Sequence, residues 1–269
     1  MLKEKNKQQF IINDILSEEK VKKIDLLEKF KRSVIANCSK AHDFLLDVGA
    51  SSGKFLFNNK KMFHNHAGIE ITPECIRFSR DVLRLNIMTD VAAITSPISV
   101  ATFWHSLEHM PADDIKKILC HVRSLSFDNT RIVISVPNNF SLQYRLFGEG
   151  YAFYDLQNHI HQFSADSLNR LMENSGFDKV QIFRSSVYNI FGYLQGFMNK
   201  CNSTHNYFYY RKKRMQVFDK SKKRLLFLDI YNYALAVLFL MPAILLSLYD
   251  SLFPGNGGVI TACYRKKKN

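Results

Sequence analysis

A glycine turn and a later carboxylate stand at a spacing that suits a sugar diol. Asp47 lies near the end of the short apolar run Phe44–Val48, and Gly49, Ser51 and Gly53 follow in the stretch FLLDVGASSGKFL. Gly49 lets the chain turn where a side chain would clash. The small Ala50, Ser51 and Ser52 allow backbone to approach a ligand, and either serine is expected to cap a helix starting near Gly53. A helix start presents unpaired N–H groups to a polar ligand. Glu70 ends a second short strand, 21 residues beyond Gly49. In a doubly wound fold a carboxylate at that place meets a ribose diol, accepting from both hydroxyls at once. A third acid, Asp90, follows the short strand expected at Leu85–Met88.

The histidines offer acid–base chemistry, because imidazole titrates near neutral pH. His64 and His66 flank a strand edge and read as surface residues. His105 and His109 are four apart and would share one face of a helix, yet no third ligand is in view and no metal is expected. His159 sits in an aromatic, glycine-bearing segment, FGEGYAFYDLQNHIHQF, which reads as a loop over the site.

The elements that must position these residues alternate strand and helix. Apolar strands are expected at 44–48, 66–70, 85–88, 98–104, 131–138, 179–183 and 259–264, with amphipathic helices at 73–85, 113–125 and 164–177. That alternation is the mark of a mostly parallel sheet. The dinucleotide fingerprint G-x-G-x-x-G fits poorly, since Ser51 and Lys54 replace its second and third glycines. Positions 1–40 carry apolar residues such as Phe10, Ile15, Val21 and Phe30 three and four apart, as amphipathic helices would.

A 46% hydrophobic composition excludes wholesale disorder. The five cysteines, an odd number without C-x-x-C or metal-ligand spacing, and the lysine-rich start without a long apolar run point to a reducing, cytoplasmic setting. A formal charge of +13 calls for an anionic partner: nucleic acid, a membrane surface or an anionic substrate.

The phrases DVGASSG, GIE, FWHSLEH and SVPN occur in this order, and the whole of ATFWHSLEHM resembles the fourth-strand segment of class I S-adenosylmethionine-dependent methyltransferases acting on small molecules and glycans. Asp47, Gly49, Ser51 and Gly53 resemble that family's first motif, with serine for its middle glycine. Asp155-x-x-x-His159-x-x-x-Phe163-Ser164 resembles a further phrase of the subgroup, with Gln157 where proline is usual. The resemblance implies a Rossmann-like α/β fold, a seven-stranded mostly parallel sheet with an antiparallel last strand, N-terminal helices and an apolar helical insertion before that strand. It divides the chain into a cover at 1–40, a core at 41–186, an insertion at 187–257 and a final strand with basic tail at 258–269. It implies S-adenosylmethionine as cofactor, held by Asp47, Gly49, Ser51, Gly53, Glu70, Asp90, Trp104 and His105. Asp90 would meet the adenine amino group or stand as a solvated loop acid. Trp104 and His105 would flank the methionine end. His159 is the candidate base for a hydroxyl acceptor, its rival role being to brace the loop or bind substrate; His109 and Tyr154 stand behind it. The acceptor class implied is a small molecule, a sugar or a lipid-linked glycan intermediate. An RNA methyltransferase is the alternative that the charge suggests, but TFWHSLEH is not the Asn-Pro-Pro-aromatic motif of enzymes that methylate exocyclic amines. A non-catalytic scaffold of the same fold is the other.

The insertion holds a basic run, RKKRMQVFDKSKKR at 211–224, and then the uncharged stretch Ile230–Tyr249. That stretch has just the length of a membrane span, although Asn232 and Pro242 weaken the case. A single crossing would separate the last strand from its sheet. The expectation is therefore an interfacial or re-entrant helix pair broken at Pro242, or a buried dimer or substrate-cover element. Eight basic residues would draw it to an anionic leaflet, at about 1 kcal/mol each near the surface. The competing reading is a solvated basic loop beside a buried helix.

Overall fold

The computed structural model describes residues 16–40, 42–202, 204–212, 222–253 and 256–268. Phe10, Ile15 and most of the basic run lie outside the described residues. The chain divides into two units: 15–137, 156–183 and 260–269 form one, and 138–155 and 184–259 lie in the other.

The first unit holds a seven-stranded sheet. Its strands are β1 (Phe44–Val48), β2 (Asn65–Ile69), β3 (Ile87–Met88), β4 (Ile98–Trp104), β5 (Ser126–Pro137), β6 (Phe177–Phe183) and β7 (Val259–Lys266), in the order β3-β2-β1-β4-β5-β7-β6. The pairings of β3 with β2, β2 with β1, β1 with β4 and β4 with β5 are parallel, and β7 runs antiparallel to β6. β1 and β4 are buried throughout, as strands covered on both faces must be. Alternate residues feed two cores. Leu46, Val48, Ala101, Phe103 and Ile134 lie in one, and Leu45, Val100, Trp104 and Val133 in the other. Ile98 breaks this alternation by joining the first core, and a register shift between Ile98 and Val100 accounts for it.

The helices of this unit are α1 (Glu18–Lys22), α2 (Leu26–Cys38), α3 (Lys54–Asn59), α4 (Pro73–Asp81), α5 (Ala112–Ser124) and, later in the chain, α7 (Ala165–Asn174). Their starts follow the sequence. Asp25 accepts from the Glu28 N–H at the head of α2, Pro73 opens α4, and Ser164 with Ser167 forms a capping box on α7. The expected serine cap on α3 is not formed. Gly53 is itself the N-cap, in the left-handed region, and no side chain bonds to that end.

The second unit is helical: α6 (Leu142–Phe147), α8 (Ser186–Cys201), α9 (Tyr207–Lys212) and α10 (Lys222–Leu252). Its core gathers Phe147, Tyr151, Tyr193 and Ala243. The Tyr151 hydroxyl donates to the Gly258 carbonyl. α8 carries glycine where neighbours press closest: a Cβ on Gly196 would lie 2.3 Å from the Phe147 ring, and one on Gly192 would meet Gln143 Oε1 at 2.0 Å.

α10 corrects the expectation of a break at Pro242, for it is one continuous helix of 31 residues with Pro242 inside. A proline costs the helix one hydrogen bond and a local clash, and the helix runs on to Leu252 nonetheless. Its polarity is reversed relative to a soluble surface helix. Asn232, Ser247 and Asp250 are buried, while Val237 (78%), Leu238, Met241, Leu245 and Leu248 are exposed. Asn232 accepts a hydrogen bond from Asn202, and Asp229 pairs with Arg211 while accepting from the Tyr207 hydroxyl. The helix is long and apolar enough to cross a membrane by length and composition.

Candidate active site

At the carboxyl ends of β1, β2 and β4 the chain must turn sharply. Gly49 (φ +78°), Ser51 (+50°) and Gly53 (+71°) all adopt left-handed backbone there. Only glycine fits at two of these places. A Cβ on Gly49 would lie 2.4 Å from Ser106 Cβ, and one on Gly53 would lie 2.6 Å from Leu85 Cδ1. The turn is pinned by the Gly49 and Ala50 N–H groups, which both donate to the Ile69 carbonyl. Ser106, which no local sequence signal singles out, locks the turn to β4 by donating its hydroxyl to the Val48 carbonyl at 2.8 Å.

Glu70 lies on the same edge, 8% exposed. Its carboxylate accepts three backbone N–H groups: Ser51 at 2.6 Å, and Ile71 and Thr72 at 2.8 Å each. The side chain therefore holds the glycine turn while facing a cavity of about 510 Å³. Gly49, Ser51, Glu70, Asp90, His105 and His109 line that cavity. Ile71, also lining it, is 79% exposed, an apolar platform beside a carboxylate that core packing does not explain. Its one signal in sequence is an apolar residue directly after the strand acid.

Asp90 is an exposed acid whose Oδ1 accepts the Ala92 N–H at 2.9 Å and whose Oδ2 pairs with Lys117 Nζ at 2.8 Å. The Ala92 bond first, and then Lys117, hold its carboxyl below the usual range. Three of the expected cofactor residues lie outside the cavity lining. Asp47 is buried beneath the turn and accepts from the Thr102 hydroxyl at 2.6 Å. Burial pushes its carboxyl up to about 7, against the pull of Thr102 and Lys31. Gly53 supports the turn from behind. Trp104 is buried against Phe55, ring centroids 5.3 Å apart.

His105 has φ +52°, which bends the chain off β4, and a single 3-10 turn covers Leu107–His109. His105 and His109 are therefore not on one helix face, as their spacing suggested. The bend sets His109 beside His159 instead, ring centroids 4.8 Å apart, with the buried Glu108 next to both. The His161 N–H donates to the Glu108 carbonyl at 3.1 Å, tying the 156–163 segment to this turn.

A glycine turn after the first strand and an acid closing the second define a Rossmann-like nucleotide-binding domain with its ligand edge at the strand ends. The model of the family described as a methyltransferase domain matches residues 22–182, and the chain belongs to that family. It is an S-adenosylmethionine-dependent methyltransferase, with S-adenosylmethionine as cofactor. Solved structures share the fold at low identity. A SAM-dependent methyltransferase from Archaeoglobus fulgidus is 16% identical, with TM-score 0.53 over 90% of this chain and 93% of its own. An S-adenosylmethionine-dependent methyltransferase from Clostridium acetobutylicum is 9% identical, with TM-score 0.51 over 91% and 93%. The [4+2]-cyclase SpnF is 12% identical, with TM-score 0.54 over 90% and 82%. Its name denotes a different chemistry on the same fold, so the fold by itself does not define the acceptor. No curated protein matches the chain.

Proposed function

We propose that the protein transfers the methyl group of S-adenosylmethionine to a hydroxyl oxygen of a small molecule, a sugar or a lipid-linked glycan intermediate. The observation that carries this reading is the His109–His159 pair, one member of which lines the cavity. In the reading, Gly49, Ser51 and Glu70 hold the nucleoside, Glu70 with its remaining acceptor capacity on the ribose diol. Ile71 supports the base, Asp90 meets its amino group and His105 flanks the methionine end. Asp47, Gly53 and Trp104 act through the turn and strand that they brace.

The sulfonium is already activated, so the protein's task is in-line alignment and exclusion of water. An acceptor oxygen lone pair forms the new bond to the methyl carbon, the C–S bond breaks, and its electron pair stays on sulfur. The hydroxyl proton goes to His159. His159→Ala is expected to leave S-adenosylhomocysteine affinity unchanged and to lower transfer of labelled methyl by about 10²–10⁴-fold. The assay uses separate pools of hydroxylated small molecules, free sugars and lipid-linked sugars. Undiminished transfer by the variant would assign His159 to bracing the loop.

The same reading divides the chain at 1–40, 41–186, 187–257 and 258–269. It places the protein in the cytoplasm, peripheral on an anionic inner leaflet through 211–249. The reversed polarity of α10 supports that attachment, since water is a poor solvent for so many adjacent apolar side chains.

A further inference from the structure

We infer that Glu108, His109 and His159 form a binding site for a divalent transition ion of the Zn²⁺ class, at the edge of the cavity. Each residue offers one ligand atom, and the three atoms lie within 4.8 Å of one another. Two imidazoles and a carboxylate are the donor set that zinc and its neighbours favour over magnesium or calcium.

Three further observations point to a cation. Glu108 is 1% exposed, and neither carboxylate oxygen has a hydrogen-bond partner. A buried carboxylate left this way costs several kcal/mol unless a positive charge compensates it. His105 Nδ1 lies 3.4 Å from Oε1, an approach too long for a hydrogen bond of ordinary strength, and it leaves Oε2 unaddressed. His109 Nδ1 lies 2.9 Å from the Asn158 carbonyl. A carbonyl only accepts, so Nδ1 carries the proton and donates, which leaves the Nε2 lone pair for a ligand. This is the outer-shell bond that orients most metal-bound histidines. Ligand atoms about 2.1 Å from a tetrahedral ion stand about 3.4 Å apart. Closing the triad requires shifts of about an ångström, within reach of rotamer changes at the exposed His109 and half-buried His159.

Three protein ligands leave a fourth position open, as in catalytic rather than structural zinc sites. This consequence rests on the methyl-transfer reading: with the ion bound, His159 serves as a ligand rather than as the base, and a hydroxyl at the open position gives its proton to solvent more readily, which would make the acceptor an alcohol or phenol that binds the ion through its oxygen. The ion site itself does not depend on that reading.

The test is Zn²⁺ titration of the full chain against a chromophoric chelator, with S-adenosylhomocysteine affinity measured on the same samples. One equivalent should bind. His109→Ala, His159→Ala and Glu108→Gln should each weaken it at least tenfold while keeping S-adenosylhomocysteine affinity. His64→Ala, at an exposed histidine outside the triad, should bind zinc as the parent does. Absence of a saturable equivalent, or equal loss in His64→Ala and His109→Ala, overturns the inference. His109 is exposed, so its variant keeps the test decisive even where Glu108→Gln fails to fold. Zinc failure with S-adenosylhomocysteine binding intact rejects the ion site alone. Failure of the parent to bind S-adenosylhomocysteine rejects the cofactor assignment instead.

Discussion

Replacing Glu70 by glutamine keeps the side chain's shape and changes its hydrogen-bonding logic. An amide has one acceptor oxygen and two donor hydrogens, whereas the carboxylate only accepts. An amide oxygen that keeps the Ile71 and Thr72 N–H groups must aim its NH₂ at the Ser51 N–H, donor against donor. The hydrogen bond forfeited is the shortest of the three, at 2.6 Å. A hydrogen bond to a charged group contributes about 1.5–3 kcal/mol, and at 8% exposure solvent discounts it little. Glu70→Gln should therefore destabilise by about 2 kcal/mol. Glu70→Ala, which strands all three N–H groups beside a cavity that admits water, should cost about 4 kcal/mol. At roughly 2–4 °C per kcal/mol for a chain of this size, Tm should fall by about 5 °C and about 10 °C respectively. Thermal unfolding reads this directly. S-adenosylhomocysteine titration should show at least a tenfold weaker Kd for glutamine and a larger loss for alanine. A glutamine variant that melts with the parent would refute the reasoning, because water would then be satisfying the Ser51 N–H.

Asp47→Asn tests the buried carboxyl. With the folded pKa raised to about 7 from an ordinary value of 3.8, the ionised form destabilises the fold, so wild-type stability is fullest below pH 4 and falls as pH rises through 7. The asparagine variant should exceed wild type at pH 8 by as much as about 4 kcal/mol and match it near pH 3 in denaturant unfolding. Gly49→Ala forces a Cβ against Ser106 and holds alanine at φ +78°, which costs about 1–2 kcal/mol for the backbone alone. Adding Ser106→Gly should relieve the steric part but forfeits the Ser106 hydroxyl's bond to the Val48 carbonyl, so Tm should return only in part. Val237→Lys with Met241→Lys should abolish co-sedimentation with anionic vesicles while leaving S-adenosylhomocysteine affinity unchanged; persistence of sedimentation would show that α10 does not carry the attachment.

The strands and the glycine turn at their carboxyl edge were legible because they rest on local signals. The runs at 44–48 and 98–104 are mostly apolar, as doubly covered strands are, and the Gly49–Glu70 interval is set by one strand–helix–strand unit. What stayed hidden depends on backbone bends. His105 in the left-handed region redirects the chain, so a four-residue spacing that resembles a helix face produces no shared face. The partner of His109 is His159, brought in by the fold from another segment. Nothing local to Glu108 shows that its carboxylate is buried. The single helix through Pro242 was equally hidden, because propensity marks proline as a breaker and no local residue signals that the helix continues to Leu252. The inner turn of Asp47 and Trp104, away from the cavity, depends on the facing strands rather than on their motif.

The position of β7 has a consequence for synthesis. β6 pairs in the sheet only with β7 among the described strands, and residues 184–258, which include α8, α9 and α10, are translated between them. A ribosome therefore releases β6 well before its partner exists, leaving an edge with open N–H and C=O groups. Vectorial folding can assemble β1 to β5 early, but β6 joins only when residues 259–266 have emerged. During that interval the open β6 edge and the exposed apolar face of α10 coexist. The glycine turn at the carboxyl ends of β1 and β4 can be complete before this interval opens.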